Sequence, residues 1–298
     1  MEKITLVISG GGVRGSFQAG FLHALIESNK YEIEEIHATS IGSILAPLVI
    51  NERKEALKKI FEDIQNFSDI FTTWWFPLLR FLNIFLRLGV FRSLNLPERV
   101  WDNLDDNEKV KAANRCYISA FNYSKNKEHW FGGKGDTADL LQGLKASTAL
   151  WLLVPPYRIE NDYYVDGGSC NLFPFSLLLQ KNIDNKEKPD RKIIFIDSST
   201  RTAKSERSYP RNALDLMFNL HDETLNNLGS LQLELLKTKY KHNLVVIRPE
   251  EDLIRSNIDF NKEKMRQFFL EGQRMFEKNE NSFFKSSRSE RLVKRKYD

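Results

Sequence analysis

Three short motifs combine small residues with groups that take part in acyl transfer. A serine on a tight turn between a strand and a helix presents its hydroxyl as a nucleophile, and an aspartate accepts the proton that the hydroxyl gives up. Glycines leave backbone N–H groups free to approach the negative charge that develops on the attacked carbonyl. In chain order the motifs are Gly10-Gly11-Gly12-Val13-Arg14-Gly15, Ala38-Thr39-Ser40-Ile41-Gly42 and Asp166-Gly167-Gly168.

The glycine motif also has the Gly10-x-Gly12-x-x-Gly15 spacing of a dinucleotide-binding fingerprint. That fingerprint needs an Asp or Glu at the end of the second strand, about 20 residues on, to bind the ribose. Here Glu34 and Glu35 stand before the second strand-like run, which ends in Thr39-Ser40 instead. The missing acid disfavours a nucleotide-binding oxidoreductase.

The glycine motif is therefore predicted to form an oxyanion hole. Sequential strands of an α/β sheet are often neighbours, so the loop after the first strand is expected to lie beside the serine turn. Gly11 and Gly12 are the expected N–H donors. Arg14 is expected to brace the loop or to attract a lipid phosphate, and Gly15 lets the next helix begin close to the sheet.

Ser40 has two interpretations from the sequence. Ala38-x-Ser40-x-Gly42 stands between a strand-like run and a helical pattern, which is typical of a nucleophile elbow with small residues on both sides of the serine. The same serine is suited to cap the helix that starts at Ile41. The residue types alone leave both interpretations open.

The general base is sought among the acids and histidines after the serine. His129, His221 and His242 stand in a hairpin-like stretch, a helical pattern and the end of a lysine-rich helix, respectively, and none of these settings suits catalysis. Asp166 follows an apolar strand-like run, and Gly167-Gly168 permits a close backbone approach. Because Asp-Gly-Gly alone is often only a turn, Asp166 becomes the candidate base through its combination with the other two motifs.

Strand-like runs alternate with helical patterns, which predicts an α/β domain with a mostly parallel sheet. Residues 157–168 are predicted to form a hairpin that turns at Asn161-Asp162. The strand-like runs are 4–9, 36–39, 116–123, 192–198 and 243–248. The helical patterns are 16–28, 41–50, 53–67, 137–149 and 212–240.

The composition is that of a globular protein with one large domain or two small ones. The 298 residues are 41% hydrophobic, and a net charge of +4 gives no reason to expect a nucleic-acid partner. Cys116 and Cys170 are too few for a disulfide framework, and no cluster of residues has the spacing of a metal site. Residues 1–3 lead directly into the first strand-like run, so no signal peptide and a cytoplasmic location are expected.

In this order, the three motifs resemble the patatin-like phospholipase family, in particular its small bacterial members. Segment 146–159, which leads into the aspartate strand, and Asn171 and Pro174 after it extend the resemblance over roughly residues 4–180. The resemblance implies a three-layer α/β/α fold around a mostly parallel sheet. It also implies a catalytic core in residues 1–180, with residues 181–298 completing the fold and adding a helical extension and a basic tail.

The resemblance implies a lipid acyl hydrolase of phospholipase A or lysophospholipase type, which cleaves carboxylic esters without a metal or other cofactor. Carried over by position, Ser40 is the nucleophile, Asp166 is the base and the loop of residues 10–15 is the oxyanion hole. Ala38 stands where the family commonly has glycine. A catalytically silent lipid-binding protein of the same fold is the alternative, against which the intact serine, aspartate and glycines argue.

Segment 72–91 carries a helical pattern after Pro77, with a wide apolar face, Arg80 and Arg87 on the opposite face and two tryptophans before it. It is too short and too charged to span a bilayer. The pattern is typical of a helix that lies in the headgroup region, which predicts peripheral membrane contact. A lid over the acyl channel and an ordinary core helix are the other two interpretations.

Overall fold

The computed structural model describes residues 1–64, 69–72, 89–169, 171, 173–185, 192–199, 213–240, 243–250, 253–254 and 260–294. In these ranges the strands are β1 (Glu2–Ile8), β2 (Tyr31–Thr39), β3 (Phe71–Thr72), β4 (Ser93–Leu94), β5 (Cys116–Asn122), β6 (Lys127–Gly132), β7 (Tyr157–Ile159), β8 (Asp162–Asp166), β9 (Lys192–Ile196) and β10 (Leu244–Ile247). The helices are α1 (Gly15–Glu27), α2 (Ile41–Ile50), α3 (Lys54–Asp63), α4 (Leu96–Asp102), α5 (Asp106–Arg115), α6 (Thr137–Ser147), α7 (Ser176–Asn185), α8 (Ala213–Tyr240) and α9 (Lys262–Lys294). Single 3₁₀ turns cover Gly12–Arg14 and Gly167–Ser169.

A central sheet joins eight of these strands in the order β10-β9-β1-β2-β5-β8-β7, with β6 also paired to β5. The strands from β10 to β5 run parallel to one another. β6 and β8 run antiparallel to β5, and β7 runs antiparallel to β8. The prediction of an α/β fold with a mostly parallel central sheet is confirmed.

β5 pairs with three strands because β2 and β8 share one of its edges. β2 pairs with the first half of β5, where Thr39 lies opposite Ser119, and β8 pairs with the second half, where Asp166 lies opposite Ala120. β6 pairs with both halves, so it occupies the other edge. The carboxyl ends of β2 and β8 therefore meet head to head across from neighbouring residues of β5.

Helices cover both faces of the sheet, because alternate side chains of β1 enter two separate hydrophobic clusters. Ile4, Leu6 and Ile8 belong to the cluster that contains residues of α1, α2 and α9. Val7 belongs to the cluster that contains Leu233 and other residues of α7 and α8. This is the three-layer α/β/α arrangement that the resemblance implies.

α9 packs closely along α1. A Cβ on Gly20 would come within 1.9 Å of the carbonyl oxygen of Phe269, and a Cβ on Gly272 within 2.1 Å of that of Phe17. The rings of Phe17 and Phe268 lie 5.5 Å apart between centroids. Because α9 comes from the C-terminal part of the chain, that part joins the same core as the N-terminal motifs.

Two predicted boundaries differ from the structure in ways that have a physical reason. The turn of the hairpin was predicted at Asn161-Asp162, which is wrong by one residue. β8 already begins at Asp162, and Glu160 takes the positive φ, 52°, that the turn requires. The strand predicted at 36–39 begins earlier, at Tyr31, because β2 pairs with β1 along almost its whole length.

Within the described ranges, the helices are all too short or too polar to cross a bilayer. Of segment 72–91, residues 73–88 lie outside the described residues. The three interpretations of this segment therefore stay predictions.

Candidate active site

The turn between β2 and α2 holds Ser40 in a backbone conformation that few non-glycine residues adopt. Its φ is 54° and its ψ is −128°, and such a conformation costs of order 1–3 kcal/mol. Ala38 is fully buried in β2. Gly42 lies against β1, where a Cβ would come within 2.7 Å of the carbonyl oxygen of Ile8 and 2.9 Å of that of Ser9. The chain therefore makes a sharp strand-to-helix turn directly above the end of β1.

Ser40 and Asp166 are joined by a hydrogen bond. Oγ of Ser40 donates to Oδ2 of Asp166 over 2.6 Å. The two residues meet because Ser40 directly follows β2 and Asp166 ends β8, and these strands meet on one edge of β5. Oδ1 of Asp166 accepts a second hydrogen bond from the N–H of Gly168 over 2.7 Å. The carboxylate is thus fixed through both oxygens and directed at the hydroxyl.

Burial changes the acidity of Asp166. The residue is 2% exposed. Burial raises the pKa of Asp166 to about 7, against the smaller lowering effects of the hydrogen bonds from Ser40 and Gly168. Among the described residues, no cation contributes to this pKa. A carboxyl group with a pKa near 7 can both accept and release a proton at neutral pH, as an acid–base catalyst must.

The loop after Asp166 packs so tightly that Gly167 has no space for a side chain. A Cβ on Gly167 would lie 2.4 Å from the carbonyl oxygen of Ser119 and 2.5 Å from Oγ1 of Thr39. These atoms belong to the ends of β5 and β2. The close contact fixes the aspartate loop to the two strands that carry the serine turn.

The glycine loop leads from β1 to α1 beside the serine turn. Gly11 and Gly12 have φ values of 154° and 55°, which glycine adopts without a steric penalty. Within the described part of the chain, the N–H groups of these two glycines donate no hydrogen bond. Gly15 lies against Ile41, the residue after the serine, where a Cβ would come within 2.6 Å of Cγ1. The loop therefore offers uncommitted N–H groups next to the serine turn.

Arg14 braces the glycine loop. Its Nε donates to the carbonyl oxygen of Ile254 over 2.8 Å, and its backbone N–H donates to the carbonyl oxygen of Gly11 over 3.1 Å. Val13 is buried in the core beneath the loop. The structure thus shows the bracing contact, whereas attraction of a lipid phosphate by Arg14 stays a prediction.

Two serines that the sequence analysis did not assign hold the backbone of Ser40. Ser147, the last residue of α6, is fully buried, and its Oγ accepts a hydrogen bond from the N–H of Ser40 over 2.8 Å. The N–H and the hydroxyl of Ser43 both donate to the carbonyl oxygen of Ser40, over 2.9 Å and 2.5 Å. Ser147 lies in segment 146–159, which is part of the resemblance to the family. No sequence pattern predicts its hydrogen bond to Ser40.

Glu128 of β6 supports the aspartate loop from the side and was also missed. Its carboxylate accepts hydrogen bonds from the hydroxyl of Ser119 over 2.7 Å, from the side-chain amide of Asn171 over 3.3 Å and from the hydroxyl of Ser176. Asn171 follows the Asp-Gly-Gly motif, and Ser119 lies against Gly167. Glu128 therefore connects both sides of the loop that carries the candidate base.

The histidines contribute nothing to this cluster in the part of the chain that the structure describes. His129 lies on β6 with its ring edge-on to Phe131 and Tyr164, and burial lowers its pKa. The side chain of His221 and the whole of His242 lie outside the described residues. The described ranges contain no group of three or more His, Cys, Asp or Glu residues that could hold a metal ion.

The family model for patatin-like phospholipases matches residues 6–179, which include all three motifs and more than half of the chain. The chain belongs to the patatin-like phospholipase family. The probable lipid hydrolase 463L of Invertebrate iridescent virus 6 is 28% identical over 207 residues, which cover 62% of this chain and 67% of the viral protein. Together, the family and this relative support hydrolysis of lipid esters as the class of activity.

Among solved structures, VipD from Legionella pneumophila matches this patatin-like chain over 95% of its length and over 67% of the VipD chain. The TM-score is 0.52 and the sequence identity is 13%. At this identity the likeness shows a common fold and nothing about substrate.

Proposed function

We propose that this patatin-like protein is a lipid acyl hydrolase of phospholipase A or lysophospholipase type, with Ser40 as nucleophile and Asp166 as base. The 2.6 Å hydrogen bond between Oγ of Ser40 and Oδ2 of Asp166 carries the proposal. It joins a serine on a sharp turn to a carboxyl group whose pKa suits proton transfer at neutral pH. Membership of a phospholipase family supports a lipid ester as substrate.

In the first half-reaction, Oγ of Ser40 attacks the carbonyl carbon of the ester while Asp166 accepts the hydroxyl proton. The carbonyl oxygen becomes negatively charged, and the N–H groups of Gly11 and Gly12 stabilise it. Asp166 then gives the proton to the alcohol oxygen as the C–O bond breaks. The alcohol product, a lysophospholipid when the substrate is a diacyl phospholipid, leaves and the acyl group remains on Ser40.

In the second half-reaction, Asp166 accepts a proton from water while the water oxygen attacks the acyl-enzyme. The same glycine N–H groups stabilise the second oxyanion, and the proton returns to Oγ of Ser40 as the fatty acid departs. The N-terminus of α2 lies directly after Ser40 and contributes its positive dipole end to the same region. No step requires a histidine, a metal or another cofactor.

The sequence leaves two alternative functions, and a different observation argues against each of them. A nucleotide-binding oxidoreductase would need an acid where β2 ends, and Ser40, bonded to Asp166, stands there instead. A catalytically silent lipid-binding protein would share the fold. A retained hydrogen bond between serine and aspartate, on a turn that costs backbone strain, favours the enzyme over the silent protein.

We further propose that the protein is located in the cytoplasm and contacts a membrane surface peripherally. Segment 72–91 supplies the pattern for membrane contact. The double variant Trp74→Asp/Phe81→Asp tests it with a soluble short-chain ester and with phospholipid vesicles as substrates. Selective loss of vesicle binding and vesicle hydrolysis supports contact, whereas joint loss of both activities with misfolding means that the segment belongs to the core.

A fluorophosphonate probe, followed by product analysis on a panel of phospholipids and glycerides, tests the function. We expect the probe to modify Ser40, and Ser40→Ala to abolish both labelling and hydrolysis while the protein stays folded. Ser28→Ala, directly after the far end of α1, serves as a matched serine control and should retain both. Labelling that persists at another serine in Ser40→Ala contradicts the assignment.

A further inference from the structure

A second group of hydroxyl side chains lines the glycine loop on the side away from Ser40. In the sheet, Ile8 of β1 lies between Ile196 of β9 and Ala38 of β2. Each of these three chain segments continues beyond its paired residue. Two residues later come Gly10 after β1, Ser198 after β9 and Ser40 after β2, so Gly10 is in the middle. The loop therefore has the candidate nucleophile on one flank and Ser198 on the other.

Two hydroxyls hold the carbonyl oxygen of Gly10. Oγ of Ser198 donates to it over 2.6 Å, and Oγ of Ser9 donates to it over 3.0 Å. Both serines are buried. The N–H of Ser198 in turn donates to Oγ of Ser9 over 3.1 Å, which links the two hydroxyls to each other. The Gly10 carbonyl is thereby held on the β9 side of the loop.

The orientation of one end of a peptide group fixes the other end. In a trans peptide the C=O of one residue and the N–H of the next point in opposite directions. With the C=O of Gly10 drawn towards Ser198, the N–H of Gly11 points towards the β2 side, where Ser40 stands. The same N–H is one of the two uncommitted donors of the loop.

We propose that Ser198 is a positioning residue that orients the Gly10–Gly11 peptide so that the N–H of Gly11 faces the oxyanion. The inference rests on the proposed function, because an oxyanion forms only if Ser40 attacks an ester. It adds a residue that lies beyond the part of the chain matched to the family.

Such a device is needed because glycines do not fix their own peptide orientation. Gly10, Gly11 and Gly12 have no Cβ, so rotation of the intervening peptide groups meets little steric resistance. A rotated Gly10–Gly11 peptide would present its carbonyl oxygen to the oxyanion and repel it. Ser198 opposes the rotation, and it also requires glycine at position 11, where a Cβ would come within 2.0 Å of Oγ of Ser198.

Ser198 is itself held in place by its neighbours. Asp197 donates its N–H to the carbonyl oxygen of Ile247 over 2.9 Å and receives a hydrogen bond from Nε of Arg248 over 2.8 Å on Oδ2. The N–H of Ser199 donates to Oδ1 of Asp197 over 2.9 Å. The residues on both sides of Ser198 are therefore anchored, so its hydroxyl has little freedom to leave the Gly10 carbonyl.

The test compares wild type with Ser198→Ala and with the matched control Ser199→Ala. The hydroxyl of Ser199 lies on the same segment and donates to Asp197 over 2.8 Å, whereas the side-chain hydrogen bonds to the Gly10 carbonyl among the described residues come from Ser198 and Ser9. For each protein, kcat and KM are measured on a soluble short-chain ester, together with the affinity for an alkyl trifluoromethyl ketone, which a serine nucleophile converts to an oxyanion-bearing adduct. Thermal unfolding shows whether each variant is folded.

We expect Ser198→Ala to lower kcat by about 10- to 100-fold, less than the ~10²–10³-fold loss when an oxyanion donor is removed outright, because the hydroxyl of Ser9 still holds the carbonyl. KM should not change, and the ketone should bind more weakly by a similar factor. Ser198→Cys, with a weak S–H donor in place of O–H, should fall between wild type and Ser198→Ala and replaces it if alanine prevents folding. Ser199→Ala should match wild type.

Three results overturn the inference. A folded Ser198→Ala with the kcat and ketone affinity of wild type shows that the hydroxyl does not orient the donor. Equal losses in Ser198→Ala and Ser199→Ala, accompanied by lower unfolding temperatures, indicate a purely structural segment. A wild type that neither hydrolyses esters nor reacts with the fluorophosphonate overturns the proposed function and this inference with it, whereas the first two results leave the proposed function intact.

Discussion

Two buried aspartates stand at the carboxyl edge of the sheet, Asp166 at the end of β8 and Asp197 directly after β9. Oδ1 of each accepts a hydrogen bond from the N–H two residues on, over 2.7 Å from Gly168 and 2.9 Å from Ser199. Oδ2 of each accepts a serine hydroxyl, over 2.6 Å and 2.8 Å. By these contacts alone the two sites are nearly the same.

The difference between the two sites is a cation. Burial raises the pKa of Asp197 too, but Arg248 and Ser199 act in the opposite direction, with Nε of Arg248 2.8 Å from Oδ2. Asp166 has no such partner among the described residues, so burial raises its pKa to about 7. Both carboxyl groups therefore have raised pKa values, and the contact that distinguishes Asp197 from Asp166 is its ion pair with Arg248.

The largest expected difference between the two aspartates is in activity. Asp166→Asn should lower ester turnover by about 10⁴- to 10⁶-fold, on the order of the losses that follow removal of one member of a catalytic unit. The variant should remain folded, because an amide keeps the shape of the carboxyl group and needs no counter-charge. Single-turnover hydrolysis and circular dichroism check this, and substantial activity in the folded variant would break the assignment of Asp166.

Asp197→Asn should instead act on stability. It leaves Arg248, whose side chain is 19% exposed, without its carboxylate, but it also removes a carboxyl group whose pKa burial raises, so we expect a net loss smaller than the roughly 3–5 kcal/mol of a fully buried broken pair. The free energy of unfolding in urea should fall accordingly. If Asp197→Asn were as stable as wild type, the two aspartates would not differ in the way described.

The pH dependence of stability should reveal the raised pKa of Asp166. The carboxyl of Asp166 has an ordinary pKa of 3.8 and a folded-state pKa of about 7. Between these values the folded state binds more protons than the unfolded state, so the contribution of Asp166 to stability falls as pH rises through the interval. Asp166→Asn removes this penalty and should be more stable than wild type at pH 8 by up to about 4 kcal/mol, the equivalent of about three pKa units.

The gain should shrink as the pH falls towards 3.8, the ordinary pKa of the carboxyl, and should vanish below that pH, where the aspartate of wild type is protonated in both states. Urea unfolding of both proteins at pH 4, 6 and 8 measures it. A constant difference across this range would mean that the pKa of Asp166 is not raised by burial.

Backbone strain gives the smallest expected effect. Ser40→Gly should be more stable than Ser40→Ala by about 1 kcal/mol, because glycine relieves strain of order 1–3 kcal/mol but gains entropy in the unfolded state. Both variants lack the hydroxyl, so they differ in backbone freedom and in one methyl group. Equal unfolding midpoints would show that the positive φ of Ser40 stores no strain.

The sequence predicts the part of the site that consists of local motifs. The elbow, the glycine loop and the Asp-Gly-Gly motif each carry small residues whose spacing has a steric meaning, and the alternation of strands and helices predicts the sheet. Asp105 and Glu108 form a capping box at the start of α5, which is another local signal of this kind.

The rest of the site depends on contacts between distant parts of the chain. Ser147 and Glu128 reach Ser40 and the aspartate loop only through the packing of α6 and β6. The head-to-head meeting of β2 and β8 depends on how two strands share one edge of β5. Serine and glutamate occur throughout the sequence, so residue type and spacing did not distinguish these from others.

The most direct test of the account is the pH dependence of fluorophosphonate labelling in a variant that lacks every histidine after Ser40, His129→Ala/His221→Ala/His242→Ala. In this variant the account leaves Asp166 as the group that activates the serine. We expect the labelling rate at Ser40 to rise through an apparent pKa near 7, as in wild type, since burial sets the pKa of Asp166 at about 7. A labelling rate that is lost in this folded variant, or that no longer changes around pH 7, would contradict a Ser40–Asp166 dyad.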